Sequence, residues 1–109
     1  MIELGVVNVL GANYTIFRSN KSEDETLANS DGYCDYTVKQ IVIGTFEPLP
    51  DSLKDLKFYE QKVIRHELVH AFLFESGLGQ DTWAGNEEIV DWIAFQIPKM
   101  IEVLKALQI

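Results

Sequence analysis

The chain has 109 residues, 47% of them apolar, and carries 17 Asp and Glu against 9 Lys and Arg, a formal net charge of −8 at pH 7. We expect one domain over residues 1–109 with a single modest core. The acidic balance argues against nucleic-acid binding, because phosphate groups would be repelled. The sequence shows no long apolar run, basic leader or cysteine pair, so we expect no membrane association, no internal disulfide and a cytoplasmic location.

The first third of the chain has the alternation and composition of β-strands. Residues 2–10 and 14–19 are two β-rich runs separated by a short segment that contains Gly11, which predicts a hairpin. Residues 20–32 form a polar connection, and residues 36–43 predict a third strand.

Two helical patterns follow a segment that contains two prolines. The first pattern predicts a helix over residues 54–76 with Gly77 as its C-cap, and it is apolar almost all the way round, so we expect burial on several sides. The second opens at Asn86 and also predicts a largely buried helix. Pro98 should end or kink it, which leaves residues 99–107 as a final amphipathic helix packed on the core.

The first helix contains the motif His66-Glu67-x-x-His70. At about 100° of rotation per residue, His66 and His70 lie one turn apart on the same face, so both imidazoles can reach one zinc ion. Glu67 is too far round the helix to compete as a ligand, yet close enough to accept a proton from a water bound to that ion. The alternative is a pair of histidines placed for packing or solvent contact.

The third ligand cannot be a histidine, because the chain has only two. This excludes the longer class of motif with a third histidine. A carboxylate or Cys34 remains, and Glu75 is a poor candidate because it lies on the opposite side of the same helix.

The start of the second helix offers better candidates. Glu87 and Glu88 lie in its first turn, and Glu87 shares one stripe with Asp91. We predict Glu87 as the third ligand, ahead of Glu88 and then Asp81, with Asp91 accepting a hydrogen bond from the outer ring nitrogen of a ligand histidine. The alternative is a solvated acidic helix start.

Taken together, His66-Glu67-x-x-His70 followed by Asn86-Glu87-x-x-x-Asp91 resembles the gluzincin pattern of the thermolysin-like zinc peptidases. In length the chain is closer to the minigluzincins and to small phage- and prophage-associated zincins, and the resemblance covers about residues 31–98. It implies an α+β, minimal zincin-like fold, in which a short sheet of about three strands packs on the active-site helix and the glutamate-bearing helix. The chain departs from larger gluzincins in having no spare histidine to stabilise the tetrahedral intermediate.

The resemblance implies a zinc-dependent peptidase, a hydrolase that cleaves a peptide or protein substrate through a metal-bound water with Glu67 as general base. It also implies that the strand before the metal helix, residues 36–43, is the sheet edge that pairs with substrate; the sequence is equally compatible with an interior strand. The alternative function is a zinc-stabilised phage or mobile-element module that binds a protein and has little or no hydrolytic activity.

Four further side chains have possible roles at such a site. Cys34 could occupy the open zinc position as a latch, although small buried cysteines are common in cores. Tyr33, Tyr36 and Tyr59 are candidates for an oxyanion-stabilising hydroxyl; the sequence does not choose among them, and packing is the favoured interpretation of each.

Overall fold

The structure is a computed structural model that describes residues 1–51 and 53–109 as an α+β fold with one mixed four-stranded sheet and two long helices. The strands are β1 (Ile2–Val9), β2 (Ala12–Arg18), β3 (Gly32–Asp35) and β4 (Gln40–Ile43), and the helices are α1 (Leu56–Glu75) and α2 (Glu87–Leu107). Short 3₁₀ helices cover Glu25–Ala28 and Trp83–Gly85. No helix in the described part of the chain is long and apolar enough to cross a membrane.

The sheet begins with the predicted hairpin. β1 and β2 pair antiparallel around a turn in which Leu10 and Gly11 both have positive φ angles, of 50° and 98°. This left-handed backbone suits a two-residue hairpin turn and has little steric cost at glycine.

The prediction of one strand over residues 36–43 is confirmed for residues 40–43 and wrong for residues 36–39. β3 and β4 are separate antiparallel strands, and residues 36–39 form the turn between them. The Asp35 side chain accepts hydrogen bonds from the backbone N–H and the hydroxyl of Thr37, and Lys39 has a positive φ of 55°. These local bonds favour a turn over the extended backbone that Tyr36, Thr37 and Val38 suggest.

The strand order is β1-β2-β4-β3. β4, the strand directly before α1, therefore lies inside the sheet, parallel to β2 and antiparallel to β3. Of the two alternatives for the strand before the metal helix, the free sheet edge is wrong and the interior strand is confirmed. β3 is the edge strand on this side of the sheet.

The core forms between the sheet and one face of α1. Its fully buried side chains include Tyr14, Ile41 and Ile43 from the sheet, and Val63 and Ala71 of α1 pack against them. The expectation that α1 is buried on nearly all sides is too strong, since Phe58 and Phe72 remain 49% and 45% exposed.

The second helix packs mainly against α1, not on the sheet as expected. Val90 and Ala94 of α2 form a small buried cluster with Val69 of α1. Ile89 and Trp92 are exposed, which corrects the expectation of a largely buried helix. The layers are therefore sheet, α1 and α2, with α1 in the middle.

Pro98 neither ends the second helix nor starts a separate one, because α2 continues through it to Leu107. Proline has no N–H to donate to the carbonyl four residues earlier, which belongs to Ala94. The Nε of Arg65 donates to that carbonyl at 2.7 Å and so satisfies it from α1. Residues 98–109 are all exposed, so this last stretch does not pack on the core.

We expect Arg65→Met to lower the free energy of unfolding by about 1–2 kcal/mol, because it leaves the Ala94 carbonyl without its donor. The loss should be smaller in a Pro98→Ala background, where the new backbone N–H can bond to Ala94. Urea unfolding of the four proteins measures this coupling. Lys57→Met, at an exposed position of α1, is the matched control, and strictly additive effects of Arg65→Met and Pro98→Ala would contradict the assignment.

Candidate metal centre

The candidate site lies where the middle of α1 faces the first turn of α2. α1 ends at Glu75 with Ser76 as its C-cap, one residue before the predicted cap, and Gly77 follows with left-handed backbone and a φ of 89°. α2 then starts at Asn86, whose side chain accepts a hydrogen bond from the Ile89 N–H at 3.0 Å. This cap fixes the first turn of α2, so that Glu87 points toward α1.

The three predicted ligand residues meet in the structure. The Nε2 of His66 lies 2.7 Å from one carboxylate oxygen of Glu87, and the Nε2 of His70 lies 2.9 Å from the other. One ligand atom from each of the three residues can be chosen so that all lie within 4.8 Å of one another. The histidine side chains are 14% and 11% exposed and that of Glu87 is 68% exposed, so the site opens to solvent on the carboxylate side.

Asp91 lies behind His66, on the side away from Glu87. Its Oδ1 is 3.1 Å from the Nδ1 of His66 and 2.8 Å from the Nζ of Lys62. The hydrogen bond from Lys62, followed by that from His66, holds the pKa of Asp91 below its usual value. Asp91 is therefore a carboxylate able to hold the proton of His66 on Nδ1.

Both ring nitrogens of His66 face carboxylate oxygens, so a neutral His66 has one N–H for two acceptors. A neutral imidazole carries one N–H, and when that proton is on Nδ1 the Nε2 lone pair faces a Glu87 oxygen, which also offers only lone pairs. A proton shared by the two atoms removes the repulsion, and so does a metal ion that binds both of them. Two imidazole nitrogens and one carboxylate oxygen form a donor set that suits zinc with an open fourth position.

The surroundings of His70 favour its neutral form. Burial lowers the pKa of His70, although Glu87 acts in the opposite direction. The ring is stacked on Phe74 with centroids 6.0 Å apart. A neutral imidazole is the form that binds metal ions.

Glu67 is buried next to this cluster, with 6% of its surface exposed. Burial raises its pKa to about 7; His66 lowers it, and the nearby Glu87 raises it further. Glu67 lines two adjoining cavities of about 190 and 300 Å³, both of which also contact Gly32 on the sheet edge. A carboxyl group that titrates near neutral pH is well suited to accept and return a proton.

The other ligand candidates lie outside the cluster. Glu88 and Asp81 are exposed, and neither belongs to the group of metal-binding type within residues 1–51 and 53–109. Glu75 instead accepts hydrogen bonds from the Tyr14 hydroxyl at 2.6 Å and from the Lys39 ammonium at 2.7 Å.

Cys34 lies on β3, where it packs against the core and lines the 300 Å³ cavity. Burial, followed by the charge of Glu67, raises the pKa of its thiol to about 12. It does not belong to the cluster of His66, His70 and Glu87 found in the described residues. A protonated thiol outside the cluster gives no support to the latch interpretation.

Two of the three candidate tyrosines donate their hydroxyls to carboxylates outside the cluster, and the third makes a ring contact. Tyr33 donates to Asp24 and Tyr59 donates to Asp31. The ring of Tyr36 packs on Phe74, with centroids 4.8 Å apart. Tyr33 lines the cavity beside His70, but its hydroxyl is already bonded to Asp24 and so is not free to stabilise an oxyanion.

Two residues of the site were not among the sequence candidates. Lys62 holds Asp91, and its position one turn before His66 on the same helix face was the signal that could have identified it. Gly32 allows β3 to approach α1, because a Cβ at this position would lie 3.0 Å from the Val42 carbonyl oxygen and 3.1 Å from the Val63 side chain.

Comparison with known proteins gives no family assignment for this arrangement. Scans against protein-family models, curated proteins and solved structures found no match to the chain.

Proposed function

We propose that this protein is a zinc-dependent peptidase that hydrolyses a peptide bond in a peptide or protein substrate. The observation that carries the proposal is the contact of one Glu87 carboxylate with the Nε2 atoms of both His66 and His70. Glu67, buried beside them with a pKa near 7, is the fourth component of the site. Two histidines and a glutamate are a ligand set of catalytic zinc sites, and the glutamate of a His-Glu-x-x-His helix is the general base of such sites.

His66, His70 and Glu87 would hold the ion, and Asp91 would orient His66 through its Nδ1. Zinc supplies a Lewis acid that polarises a carbonyl group and makes water more acidic. Glu67 accepts the proton of the attacking water and returns it to the leaving amine. Its burial keeps the proton within the cleft during this exchange.

We assign the chain a minimal zincin-like fold. The arrangement that supports this is a helix with both histidines, a following helix with the glutamate, and a mixed sheet on the opposite side of the first helix. The substrate strand in this fold would be β3, because Gly32 and Cys34 line the cavities beside Glu67. An extended peptide would then pair with the free edge of β3.

The alternative, a zinc-stabilised module that binds a protein, has one specific observation in its favour. The exposed apolar side chains of α2 include five, each at least 41% exposed, that are spaced three, eight, three and four residues apart and so share one helix face: Ile89, Trp92, Met100, Val103 and Leu107. An apolar stripe of this kind is typical of a helix that packs against another protein. The stripe is compatible with a peptidase as well, so hydrolysis decides between the two functions.

The purified protein should bind about one equivalent of zinc, and its melting temperature should fall when a chelator removes the metal, because binding is coupled to folding. Glu87→Ala should weaken zinc binding far more than its exposed neighbour Glu88→Ala. Asp91→Ala should weaken it by roughly tenfold to a hundredfold. Competition with a zinc indicator measures the zinc affinity of the Glu87→Ala, Glu88→Ala and Asp91→Ala variants. Absence of zinc together with an unchanged melting temperature in chelator would contradict the metal centre.

Glu67→Gln should retain zinc and the fold but lower peptide hydrolysis by roughly a hundredfold or more, since the amide cannot accept the proton. The measurement is cleavage of a broad peptide library and of denatured proteins, with and without chelator. Glu88→Gln is the matched control and should cleave normally. A zinc-loaded wild-type protein that cleaves nothing in these assays would favour the binding module.

Proline substitution tests the edge of β3. Alternate amides of a strand face opposite sides, so one of Tyr33→Pro and Cys34→Pro removes an N–H that faces outward. That variant should keep its fold and its zinc while losing most peptide cleavage. Circular dichroism and zinc content identify the folded variant, and undiminished cleavage by it would exclude β3 as the substrate strand.

A further inference from the structure

A second, more apolar cavity lies away from the metal centre. It has a volume of about 560 Å³ and is formed by the connection from β4 to α1 and by the first turns of α1. Its apolar walls come from Phe46, Leu49, Leu53, Leu56 and Tyr59. This volume is within the range of cavities that bind small ligands or large side chains.

Carboxylates border this cavity. Glu47 and Asp51 line it and are both exposed. The cavity therefore offers an apolar interior together with two negative charges accessible to solvent. A group that matches it has an apolar body and neighbouring positive charge.

The cavity adjoins the metal cleft through an intermediate cavity of about 400 Å³. The intermediate cavity shares Ser30 and Asp31 with the 190 Å³ cavity at His66, and it shares Phe46 and Glu47 with the apolar cavity. Tyr59 contacts residues of both ends of the intermediate cavity. Its hydroxyl donates to Asp31, and its ring packs edge-on against Phe46 with centroids 5.1 Å apart.

Negative charge dominates the path between the two ends. Asp31, Glu47 and Asp51 line it beyond the metal cleft, and the cations that line it are Lys21 and Lys62. Lys62 is already balanced by Asp91 at 2.8 Å. With a net charge of −8 for the whole chain, the field along this path attracts basic segments and repels acidic ones.

We propose that this path is a substrate-binding groove that selects a peptide segment with a large apolar side chain flanked by lysine or arginine. The apolar side chain enters the 560 Å³ cavity, and the flanking cations meet Glu47 and Asp51. The inference rests on the proposed peptidase function, since it names the class of substrate for that cleft. Binding of such a peptide can nevertheless be measured without hydrolysis.

The test uses the full-length, zinc-loaded Glu67→Gln variant and fluorescence anisotropy with labelled nonapeptides. One peptide has a lysine–phenylalanine–lysine centre between glycine and serine residues, and two others replace phenylalanine by alanine or both lysines by glutamate. The first peptide should bind at least tenfold more tightly than either of the others. Equal affinity for the three would overturn the proposal.

Substitutions in the groove separate the two parts of the recognition. The double variant Glu47→Lys, Asp51→Lys should lose tenfold or more in affinity for the lysine–phenylalanine–lysine peptide, and the loss should shrink at high salt. The first control, Glu102→Lys with Lys105→Glu, keeps the net charge and alters only the far end of α2. The second control, Glu102→Lys with Glu25→Lys, has the same change in net charge as the groove variant, but at exposed sites outside the cavities. Equal losses in the groove variant and in the second control would mean general attraction and would overturn the proposal.

Phe46→Ala tests the apolar wall independently of charge. It should weaken binding of the phenylalanine peptide and leave the alanine peptide unchanged, which a general loss of folding would not do. Wild-type protein that cleaves all three peptides equally, with no effect of these variants, overturns the groove and leaves the peptidase intact. Selective binding of the first peptide, with no cleavage of it or of the broad library by zinc-loaded wild-type protein, upholds the groove as a peptide-binding site and overturns the peptidase.

Discussion

The contact between the Glu87 carboxylate and the two histidines of α1 is the polar constraint that fixes how the start of α2 lies against α1. It joins residues from two helices through charged and polar groups that would be costly to leave unpaired at a helix seam. The left-handed Gly77 at the end of α1 and the Asn86 cap at the start of α2 both serve this contact, since they set where the second helix begins. Asp91, one turn further, then reaches the far side of His66.

The position of α1 between the sheet and α2 explains why neighbouring residues on this helix behave so differently. Val63 and Ala71 face the sheet and complete the main core, whereas Val69 faces α2. Glu67 lies toward the sheet edge and is buried, which raises its pKa, while Glu87 on α2 remains exposed to solvent. The two glutamates therefore differ in solvent exposure as a result of the layer that each one contacts.

Local rules in the sequence predicted the hairpin, both helix starts to within two residues, and the grouping of His66, His70 and Glu87, because helical periodicity and capping fix these features over short distances. The errors involve tertiary contacts or side chains that bond to nearby backbone. The split between β3 and β4 depends on Asp35 bonding to Thr37, and the edge position of β3 depends on the pairing of β2 with β4. The path of α2 through Pro98 depends on Arg65, which is far away in sequence. The roles of the clustered residues in metal binding and catalysis remain predictions.

The bond from Arg65 to the Ala94 carbonyl divides α2 into two parts with different dynamics. On its N-terminal side, Glu87, Asp91 and Ala94 are tied to α1 by polar contacts and burial. On its C-terminal side, residues 98–109 are exposed throughout and have only the helix's own hydrogen bonds and local contacts to hold them. Local opening costs least where burial is least. The last three turns can therefore fray and reform with rapid amide exchange while the spacing between the histidines and Glu87 stays constant.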